Sequence, residues 1–441
     1  MKWILNLTYA CLLMVLSPVI IWRFVRHGRY GKGLPEKLFG RLPRLDSTEQ
    51  TIWFHAVSVG EVLQLRTLVD DFQKSAPNSL KILISTSTDS GYELASERFP
   101  DCEVTWFPLD FSWAVSNALH RVNPALVILV ELELWPNFLG ECKRRNIKTA
   151  LVNARMSDRS FQGYSRIQSL TAPLFSAFAV VAAQNKEYAD RLRLLGASLE
   201  ATSVTGSIKF DGVCCDRNNT GTQQLKQLFQ FQSSDRVFIA GSTQAPEELL
   251  ALQAYHDARL QFPELRLVLV PRHRERFDEV AALVGSSRFP CVRRSSLHDG
   301  DRVPQNAVII LDTIGELSHC WGMADVAFVG GSFGPREGQN MLEPAAFGAA
   351  VMFGPRTRNF RQIVAHLLAA EAAIELPDED SMLPELMRTL DSNKLRVDMG
   401  QRAQQIILTQ QGAIARTTRL LLAVLNVHSR PDSASLDSKA A

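Results

Sequence analysis

The chain has 441 residues, 46% of them hydrophobic and 21% charged, with a formal net charge of +2. This length exceeds one ordinary hydrophobic core and predicts two folded domains, and the small net charge argues against a nucleic-acid-binding protein. The seven cysteines form no C-x-x-C pair, so no cysteine-based metal site is expected, and their odd number favours reduced thiols in the cytosol over a disulfide scaffold.

The first predicted element is a charge-free stretch from Trp3 to Trp22. About 20 apolar residues suffice to span a bilayer as a helix. The basic residues that follow it are Arg23, Arg26, Arg29, Lys32 and Lys37. Positive charge marks the cytoplasmic flank of a span, whereas a cleaved signal peptide, the alternative, carries its charge before the apolar run. The pattern therefore predicts an uncleaved single-pass anchor with the body of the protein on the cytoplasmic side.

From Thr51 onward, short apolar runs alternate with amphipathic segments, which is typical of parallel sheets covered by helices. The first predicted strands are Ile52–Val57, Lys81–Thr86, Glu103–Phe107, Ala125–Val130, Lys148–Val152, Ala179–Ala182 and Ser203–Gly206. After a polar stretch, the second set comprises Val237–Gly241, Leu265–Val270, Val308–Leu311, Val326–Val329 and Ala350–Phe353. A long helical pattern from about residue 394 to 424 closes the fold.

These patterns divide the chain into five predicted segments. They are a membrane anchor at 1–24, an N-terminal α/β domain at 25–214, a linker at 215–234, a C-terminal α/β domain at 235–427 and a disordered tail at 428–441. Two similar α/β halves imply a cleft between them, and open α/β sheets bind ligands beyond the carboxyl ends of their strands.

Acidic residues follow two predicted strands of the first domain. Glu61, in H-A-V-S-V-G-E-V, begins a helix after a strand, where a carboxylate can accept a proton from a hydroxyl nucleophile or simply cap the helix. Glu131 and Glu133, in E-L-E-L-W-P-N, point the same way on an extended segment. They could bind a divalent metal, share one proton, or hydrogen-bond to the next helix, which Pro136 should begin. Lys209, in V-T-G-S-I-K-F-D, could neutralise an anion or lie on the surface.

The second domain carries several turns suited to a nucleotide. The turns after predicted strands, at 240–243 and 330–332, could offer backbone N–H groups to a phosphate. Arg272 suits a phosphate or a base edge. Asn340 can cap the helix that follows, and Glu343 can accept hydrogen bonds from ribose hydroxyls. No G-x-G-x-x-G follows the first strand and no G-x-x-x-x-G-K-[ST] is present, which argues against a dinucleotide oxidoreductase or a P-loop enzyme.

Several motifs in fixed order resemble the 3-deoxy-D-manno-octulosonic acid (Kdo) transferase family, the lipid A glycosyltransferases of Gram-negative bacteria. The matching motifs are R-H-G-R-Y-G-K-G, W-F-H-A-V-S-V-G-E-V, E-L-E-L-W-P-N, V-N-A-R-M-S-D-R-S, V-T-G-S-I-K-F-D, P-R-H-R-E-R-F, G-E-L, A-D-V-A-F-V-G-G-S and N-M-L-E-P-A-A. The resemblance runs from the anchor to about Val424.

The resemblance implies a GT-B fold of two Rossmann-like domains, an acceptor domain followed by a CMP-sugar domain, at the cytoplasmic side of the inner membrane. It implies CMP-Kdo as donor and the lipid A precursor lipid IVA as acceptor, and direct displacement would invert the anomeric carbon. No cofactor is expected and no metal ligand is assigned, and metal dependence stays open because Glu131 and Glu133 could be ligands or not. By matching positions, Glu61 is the general base, and Glu131 and Lys209 stabilise the transition state. The implied CMP-binding residues are Pro271, Arg272, Ile314, Gly315, Glu316, Asn340, Met341, Leu342 and Glu343.

Two positions depart from the family pattern. Gln244 and Gln339 stand where the family commonly has His, and a glutamine amide donates a hydrogen bond but carries no charge. Three other functions remain open: a nucleotide-sugar epimerase, a transferase with another nucleotide sugar, and a membrane-anchored binding module without catalysis. The N-terminal span argues against the first, while donor competition and turnover measurements separate the other two.

Overall fold

The computed structural model describes residues 2–27, 32–45, 49–76 and 80–425. The predicted tail 428–441 and the basic residue Arg29 lie outside these ranges. The described chain forms two compact units, residues 1–212 with 411–441 and residues 213–410. Each unit contains a seven-stranded sheet in which every paired strand is parallel.

The first unit has the strand order β3-β2-β1-β4-β5-β6-β7. Its strands are β1 (Gln50–His55), β2 (Leu80–Thr86), β3 (Glu103–Trp106), β4 (Leu126–Val130), β5 (Lys148–Ala154), β6 (Val180–Ala183) and β7 (Thr202–Val204). Its helices include α1 (Lys2–His27), α2 (Leu34–Phe39), α3 (Val59–Ser75), α4 (Asp89–Arg98), α5 (Ser112–Val122), α6 (Pro136–Arg144), α7 (Asp158–Arg166), α8 (Gln168–Phe175) and α9 (Lys186–Leu194). The order reverses between β1 and β4, which is where such sheets bind ligands.

The continuous apolar runs form these strands because helices cover both faces of the sheet. All five residues of β4 are buried. In β1, Trp53 packs into one core cluster, whereas Ile52 and Phe54 pack into the cluster on the opposite face. Pro136 begins α6, as predicted.

The second unit has the strand order β10-β11-β9-β8-β12-β13-β14. Its strands are β8 (Arg236–Thr243), β9 (Leu265–Pro271), β10 (Cys291–Arg293), β11 (Val308–Ile310), β12 (Val326–Val329), β13 (Ala350–Phe353) and β14 (Ala373–Glu375). Its helices are α10 (Thr220–Leu228), α11 (Glu247–Ala258), α12 (Phe277–Gly285), α13 (Leu317–Cys320), α14 (Leu342–Ala346), α15 (Arg361–Ala369), α16 (Met382–Asp391) and α17 (Asn393–Gln410). Helix α18 (Ala413–Val424) returns to the first unit.

The domain boundaries differ from the predicted ones at two places. The polar stretch predicted as a linker contains α10, whose Thr222 hydroxyl donates to the His319 carbonyl at 2.8 Å within the second unit. The helix predicted from about residue 394 to 424 is two helices, because α17 ends at Gln410 and the φ of 88° at Gly412 is not helical. Beyond it, Ile414 and Leu421 of α18 pack into the core of the first unit.

The predicted anchor forms most of α1, and only 6% of its Lys2–Val19 part is buried inside the protein. Among the described residues, α1 is the one helix long and apolar enough to cross a membrane. An N-terminal signal sequence and the core helix of a soluble protein meet the same criteria of length and composition, so this observation is weak evidence for an anchor.

Candidate active site

A cluster of carboxylates lies at the carboxyl edge of the first sheet, where the strand order reverses. Glu61 follows β1 and Glu131 follows β4, and these two strands pair directly. Lys209 lies beyond β7 with its ammonium 4.0 Å from the Glu131 carboxylate. The three residues predicted to be catalytic are therefore brought together within one unit.

Glu61 is held in place by the turn that precedes α3. Its two carboxylate oxygens accept hydrogen bonds from the Val57 backbone N–H at 2.9 Å and the Ser58 hydroxyl at 2.8 Å. Ser58 in turn caps α3 by accepting from the Glu61 N–H. Glu61 thus takes the capping role that the sequence left open, yet each carboxylate oxygen keeps a lone pair for a further donor.

Burial and neighbouring carboxylates raise the pKa of two glutamates at this edge. Burial raises the pKa of Glu61, and the charge of Glu131 adds to the rise. Burial, with the charges of Glu61 and Glu131, raises the pKa of Glu133 to about 7. Glu133 was noted in the sequence but not predicted to be catalytic; its pKa depends on neighbours that only the fold brings close.

The backbone around this cluster is unusual. Glu131 has a φ of 62° and Asn153, at the end of β5, a φ of 53°, a conformation that costs energy for residues other than glycine and is frequent at functional sites. Asn153 is fully buried; its amide oxygen accepts from the Ile208 N–H at 3.3 Å and its amide nitrogen donates to Gln64 at 3.0 Å. It thereby ties the segment carrying Lys209 to α3. The only sequence signal for it was its place in V-N-A-R-M.

His55, the first residue of the H-A-V-S-V-G-E-V motif that contains Glu61, lies in the core. It is fully buried, stacks on Phe107 at 3.7 Å between ring centroids, and its Nδ1 lies 3.0 Å from the Ser85 hydroxyl. Burial lowers its pKa to about 3, so it is neutral and positions the strand end. The described residues contain no group of three or more His, Cys, Asp or Glu suited to a metal ion.

The predicted nucleotide residues of the second unit follow β9, β11 and β12 at the carboxyl edge of its sheet. Arg272 is exposed after β9. Burial raises the pKa of Glu343 on α14, and the Asn340 hydrogen bond and the Arg272 charge offset part of this rise. Asn340 donates to Glu343 at 2.9 Å and accepts from the Leu342 N–H at 3.1 Å. Asn340 lies one residue before Met341, the N-cap of α14, so its side chain binds the first N–H group of the helix without occupying the predicted capping position.

The other residues predicted to bind CMP differ in how far their side chains are exposed to solvent. Ile314 is 80% exposed after β11, next to Gly315, while Glu316 is paired with Arg294 at 2.7 Å. Pro271, Met341 and Leu342 are buried, with Met341 fully so. Because these three side chains are buried, a ligand at this edge could contact only the backbone of these residues.

The glycine-rich turn at 330–332 does not offer free N–H groups as predicted, since the Gly330 N–H donates to the Gly241 carbonyl and the next two donate to Glu247. The buried carboxylate of Glu247, at the start of α11, accepts from the N–H groups of Gln244, Gly331, Ser332 and Phe333 at 2.7–3.1 Å. A built-in anion therefore occupies the place predicted for phosphate. Sequence patterns missed it because these partners lie up to 86 residues from Glu247.

The two glutamines that depart from the family pattern lie over one glycine. A Cβ atom on Gly331, whose φ is 66°, would lie 3.2 Å from the amide nitrogen of Gln339 and 3.6 Å from that of Gln244. The Gln244 nitrogen is buried and has no hydrogen-bond partner among the described residues. A side chain here would be strained by the positive φ and would crowd the Gln339 amide, so glycine suits this position.

Comparisons with known proteins agree with the motifs. Residues 32–212 match the family described as 3-Deoxy-D-manno-octulosonic-acid transferase (kdotransferase). The 3-deoxy-D-manno-octulosonic acid transferase of Haemophilus influenzae is 32% identical over 422 residues, 94% of this chain and 97% of that protein. The transferase of the same description from Bordetella pertussis is 31% identical over 431 residues, 93% and 97% of the two chains.

A solved structure shares the fold at low identity. The UDP-GlcNAc 2-epimerase of Neisseria meningitidis, bound to UDP-GlcNAc, superposes with a TM-score of 0.55 at 12% identity, covering 85% of this chain and 100% of that one. The two sheets, the doubly wound order and this likeness define a GT-B-like two-domain α/β protein, which confirms the predicted fold class. That fold serves more than one reaction.

Sequence similarity across nearly the whole chain shows which of the proteins with this fold the chain is related to. The chain belongs to the 3-deoxy-D-manno-octulosonic acid transferase family, and it is a glycosyltransferase. The predicted family is thereby confirmed.

Proposed function

We propose that the protein transfers Kdo from CMP-Kdo to the lipid A precursor lipid IVA in lipopolysaccharide biosynthesis, at the cytoplasmic side of the inner membrane, with α1 as its membrane attachment. The observation that carries the proposal is the carboxylate cluster at the reversal of the first sheet, in a chain of this family. Glu61 holds two fixed hydrogen bonds there and keeps lone pairs for an incoming hydroxyl.

In the proposed reaction, the primary hydroxyl of the distal glucosamine attacks the anomeric carbon of CMP-Kdo. The new C–O bond forms as the bond to the CMP phosphate breaks, and CMP leaves with that electron pair. Glu61 takes the hydroxyl proton, and direct displacement inverts the anomeric centre. Burial raises the pKa of Glu61, which makes the carboxylate a stronger base than an exposed one.

Lys209 offsets negative charge that the acidic sugar brings to the transition state. Its side chain is 42% exposed and its ammonium lies 4.0 Å from the Glu131 carboxylate, so it is oriented by one carboxylate and open to a second. Electrostatic stabilisation of this kind depends on charges that are in place before the reaction.

In the proposed donor site, Arg272 contacts the phosphate or the cytosine and Glu343 the ribose. Asn340 holds Glu343, and the Ile314–Glu316 segment contributes backbone groups. Because Glu247 occupies the N–H groups of the 331–333 turn, Arg272 rather than that turn carries the charge of the leaving CMP.

The donor is tested by competition. Purified full-length protein is given lipid IVA with CMP-Kdo or with UDP-sugars, and nucleotide release is measured for each. We expect release of CMP from CMP-Kdo that depends on the lipid acceptor. Turnover of a UDP-sugar in place of CMP-Kdo, or binding of donor without turnover, would exclude the proposed reaction.

A further inference from the structure

The motif V-N-A-R-M-S-D-R-S runs from the end of β5 into α7, and its two arginines have no part in the proposed reaction. Helix α7 follows β5 at the carboxyl edge of the first sheet, where β5 pairs with β4, the strand that Glu131 follows. Phe161 and Tyr164 of α7 pack against the core. Burial raises the pKa of the Tyr164 hydroxyl, and the charge of Glu133 adds to the rise. Helix α7 therefore lies beside the carboxylate cluster.

One face of α7 is exposed and carries positive charge. Arg159, Gln162, Gly163 and Arg166 are spaced by three, one and three residues, which places them on the same face of the helix, and all four are exposed. A Cβ atom added at Gly163 would have no neighbour within 4 Å among the described residues, the helix's own backbone aside. The middle of this face is therefore open between two guanidinium groups.

The arginines around α7 are not neutralised by neighbouring carboxylates. Arg155, just before the helix, is exposed like Arg159 and Arg166. Within residues 2–27, 32–45, 49–76 and 80–425, the guanidinium groups of these three arginines form no hydrogen bond or ion pair. The one acidic residue between positions 155 and 170 is Asp158, and it pairs with Arg191 of α9. All N–H donors of the three guanidinium groups thus remain available to an anion.

The start of α7 is fixed before any ligand binds. The Ser157 hydroxyl caps the helix by accepting from the Ser160 N–H at 3.2 Å. Arg191 donates to the Met156 carbonyl at 2.8 Å and holds Asp158 with the same guanidinium group. A binding surface on a helix held in this way loses little freedom when it takes up a ligand, which favours affinity.

An apolar group begins where α7 ends. Ile167, between α7 and α8, is 48% exposed, Leu170 of α8 is 60% exposed and Leu194 of α9 is 64% exposed. The Gln168 amide donates to the Leu194 carbonyl at 2.6 Å, which holds the end of α9 against the start of α8. Neighbouring exposed apolar side chains mark a surface for a partner. Together with the three arginines, Ile167, Leu170 and Leu194 form the α7 surface.

We propose that the α7 surface binds the lipid acceptor, with its arginines on phosphate groups of the glycolipid and its apolar side chains beside the acyl chains; this rests on the proposed function, whose acceptor is a phosphorylated glycolipid. Guanidinium groups match the geometry of phosphate with paired N–H donors. The acceptor presents negative charge and apolar chains together, and its hydroxyl must reach Glu61 at this same edge of the sheet.

The spacing along α7 suits more than one phosphate of a single molecule. Seven residues separate Arg159 from Arg166, about 10 Å along the helix axis at about 1.5 Å per residue. Two guanidinium groups at this separation can hold two phosphate groups of one disaccharide lipid at once. The α7 surface would therefore select the acceptor by its phosphate groups, while the carboxylate cluster acts on its hydroxyl.

Lipid binding in detergent tests the α7 surface without a bilayer. Immobilised full-length protein is titrated with lipid IVA and with the same lipid after removal of its phosphate groups, and binding is followed by surface plasmon resonance. The parent should bind the phosphorylated lipid about 10- to 100-fold more tightly, as charge-assisted hydrogen bonds predict. Arg159→Gln combined with Arg166→Gln should abolish this preference, and Lys at both positions should restore part of it because the charge is kept.

The matched control is Lys74→Gln combined with Arg98→Gln. It removes two exposed positive charges at the C-terminal ends of α3 and α4 and should keep the preference for the phosphorylated lipid. Equal affinity of the parent for both lipids, or an unchanged preference in the double glutamine variant of α7, would overturn the proposal. If that variant keeps its preference but no longer binds vesicles of anionic phospholipid, the arginines serve the bilayer and the proposal is wrong.

Kdo transfer is measured on the same proteins, so that the two proposals fail separately. The α7 variant should show a raised KM for lipid IVA and an unchanged KM for CMP-Kdo. Absence of transfer by the parent would contradict the proposed function, whereas the binding preference is seen without turnover. Transfer by the parent together with equal binding of both lipids would overturn the role of the α7 surface alone.

Discussion

At the scale of single residues, position in the fold sets the chemistry of the carboxylates. Glu61, Glu131 and Glu133 share one sheet edge, yet burial and neighbouring charge raise the pKa of Glu61 and Glu133. Glu131 instead faces Lys209. A carboxyl group whose pKa is raised by its surroundings is a stronger base, which suits it to proton transfer near neutral pH.

Glu61→Gln tests the proposed base. The amide keeps an oxygen for the Val57 N–H but cannot accept a proton, so we expect Kdo transfer to fall by about 10²–10⁴-fold with unchanged unfolding temperature and CMP affinity. Initial rates at saturating donor give the comparison. The matched control is Glu97→Gln, an exposed glutamate of α4 in the same unit, which should leave the rate unaltered. A Glu61 variant as fast as the Glu97 variant would remove Glu61 from the role.

Glu133→Gln should change the pH dependence of stability. The folded protein keeps the Glu133 proton up to about pH 7, so the folded state binds more protons than the unfolded one between about pH 4.5 and 7, and stability falls as pH rises through that window. The neutral amide removes this cost. We expect the variant to be more stable than the parent by about 1–2 kcal/mol at pH 8, allowing for solvent screening, and by little at pH 5. Equal differences at both pH values, from thermal unfolding, would contradict the account.

Arg272→Ala and Glu343→Ala test the donor site. A charge-assisted hydrogen bond contributes about 1.5–3 kcal/mol, so each variant should lose about 10- to 100-fold in CMP affinity by calorimetry. Arg274→Ala, an exposed arginine two residues away, is the matched control and should bind CMP normally. Glu343→Gln keeps an acceptor for Asn340 and separates loss of charge from loosening of α14. Normal CMP binding by both alanine variants would mean that these motifs do not form the donor site.

At the scale of elements, apolar runs in the sequence predicted most strands. A parallel strand covered by helices on both faces is apolar along its whole length, so its sequence alone identifies it. Strands β10 and β14 were missed because each has three residues at an edge of the sheet, partly buried and without a clear pattern. The role of Glu247 could not be predicted, since it depends on partners brought close by the fold. Glu61 was placed correctly because its strand-turn-helix setting is local in sequence.

Helix α18 shows the same limit. Its apolar pattern continued that of α17, and only the break at Gly412 separates them. Asp211 accepts from the N–H groups of Gly412 and Ile414 at 2.7 and 2.5 Å, which starts α18 on the first unit.

Leu421→Ala should therefore destabilise the first unit rather than the second. Leu421 is fully buried in the core beneath α3 and the first sheet, and such a truncation costs about 2–5 kcal/mol. Limited proteolysis with mass spectrometry should show earlier cleavage within residues 1–212. Arg419→Ala, exposed on the same helix, should change stability by less than about 0.5 kcal/mol. Earlier cleavage within residues 213–410 would contradict the assignment of α18.

At the scale of the whole molecule, the proposal divides the work between two units. The first carries the carboxylate cluster and α1, and the second carries the predicted nucleotide residues. A lipid acceptor lies in a membrane, so an enzyme that uses it benefits from a helix whose outer face is apolar. Similarity of fold alone would also be compatible with an epimerase. The 32% identity to a transferase over 94% of the chain favours a transferase instead.

The measurement that tests the central claim most directly is mass spectrometry of lipid IVA after incubation with CMP-Kdo and purified full-length protein. The account predicts a lipid product that carries added Kdo, equal release of CMP, and loss of both with Glu61→Gln but not with Glu97→Gln. Lipid IVA recovered unchanged, with both ligands shown to bind, would contradict it.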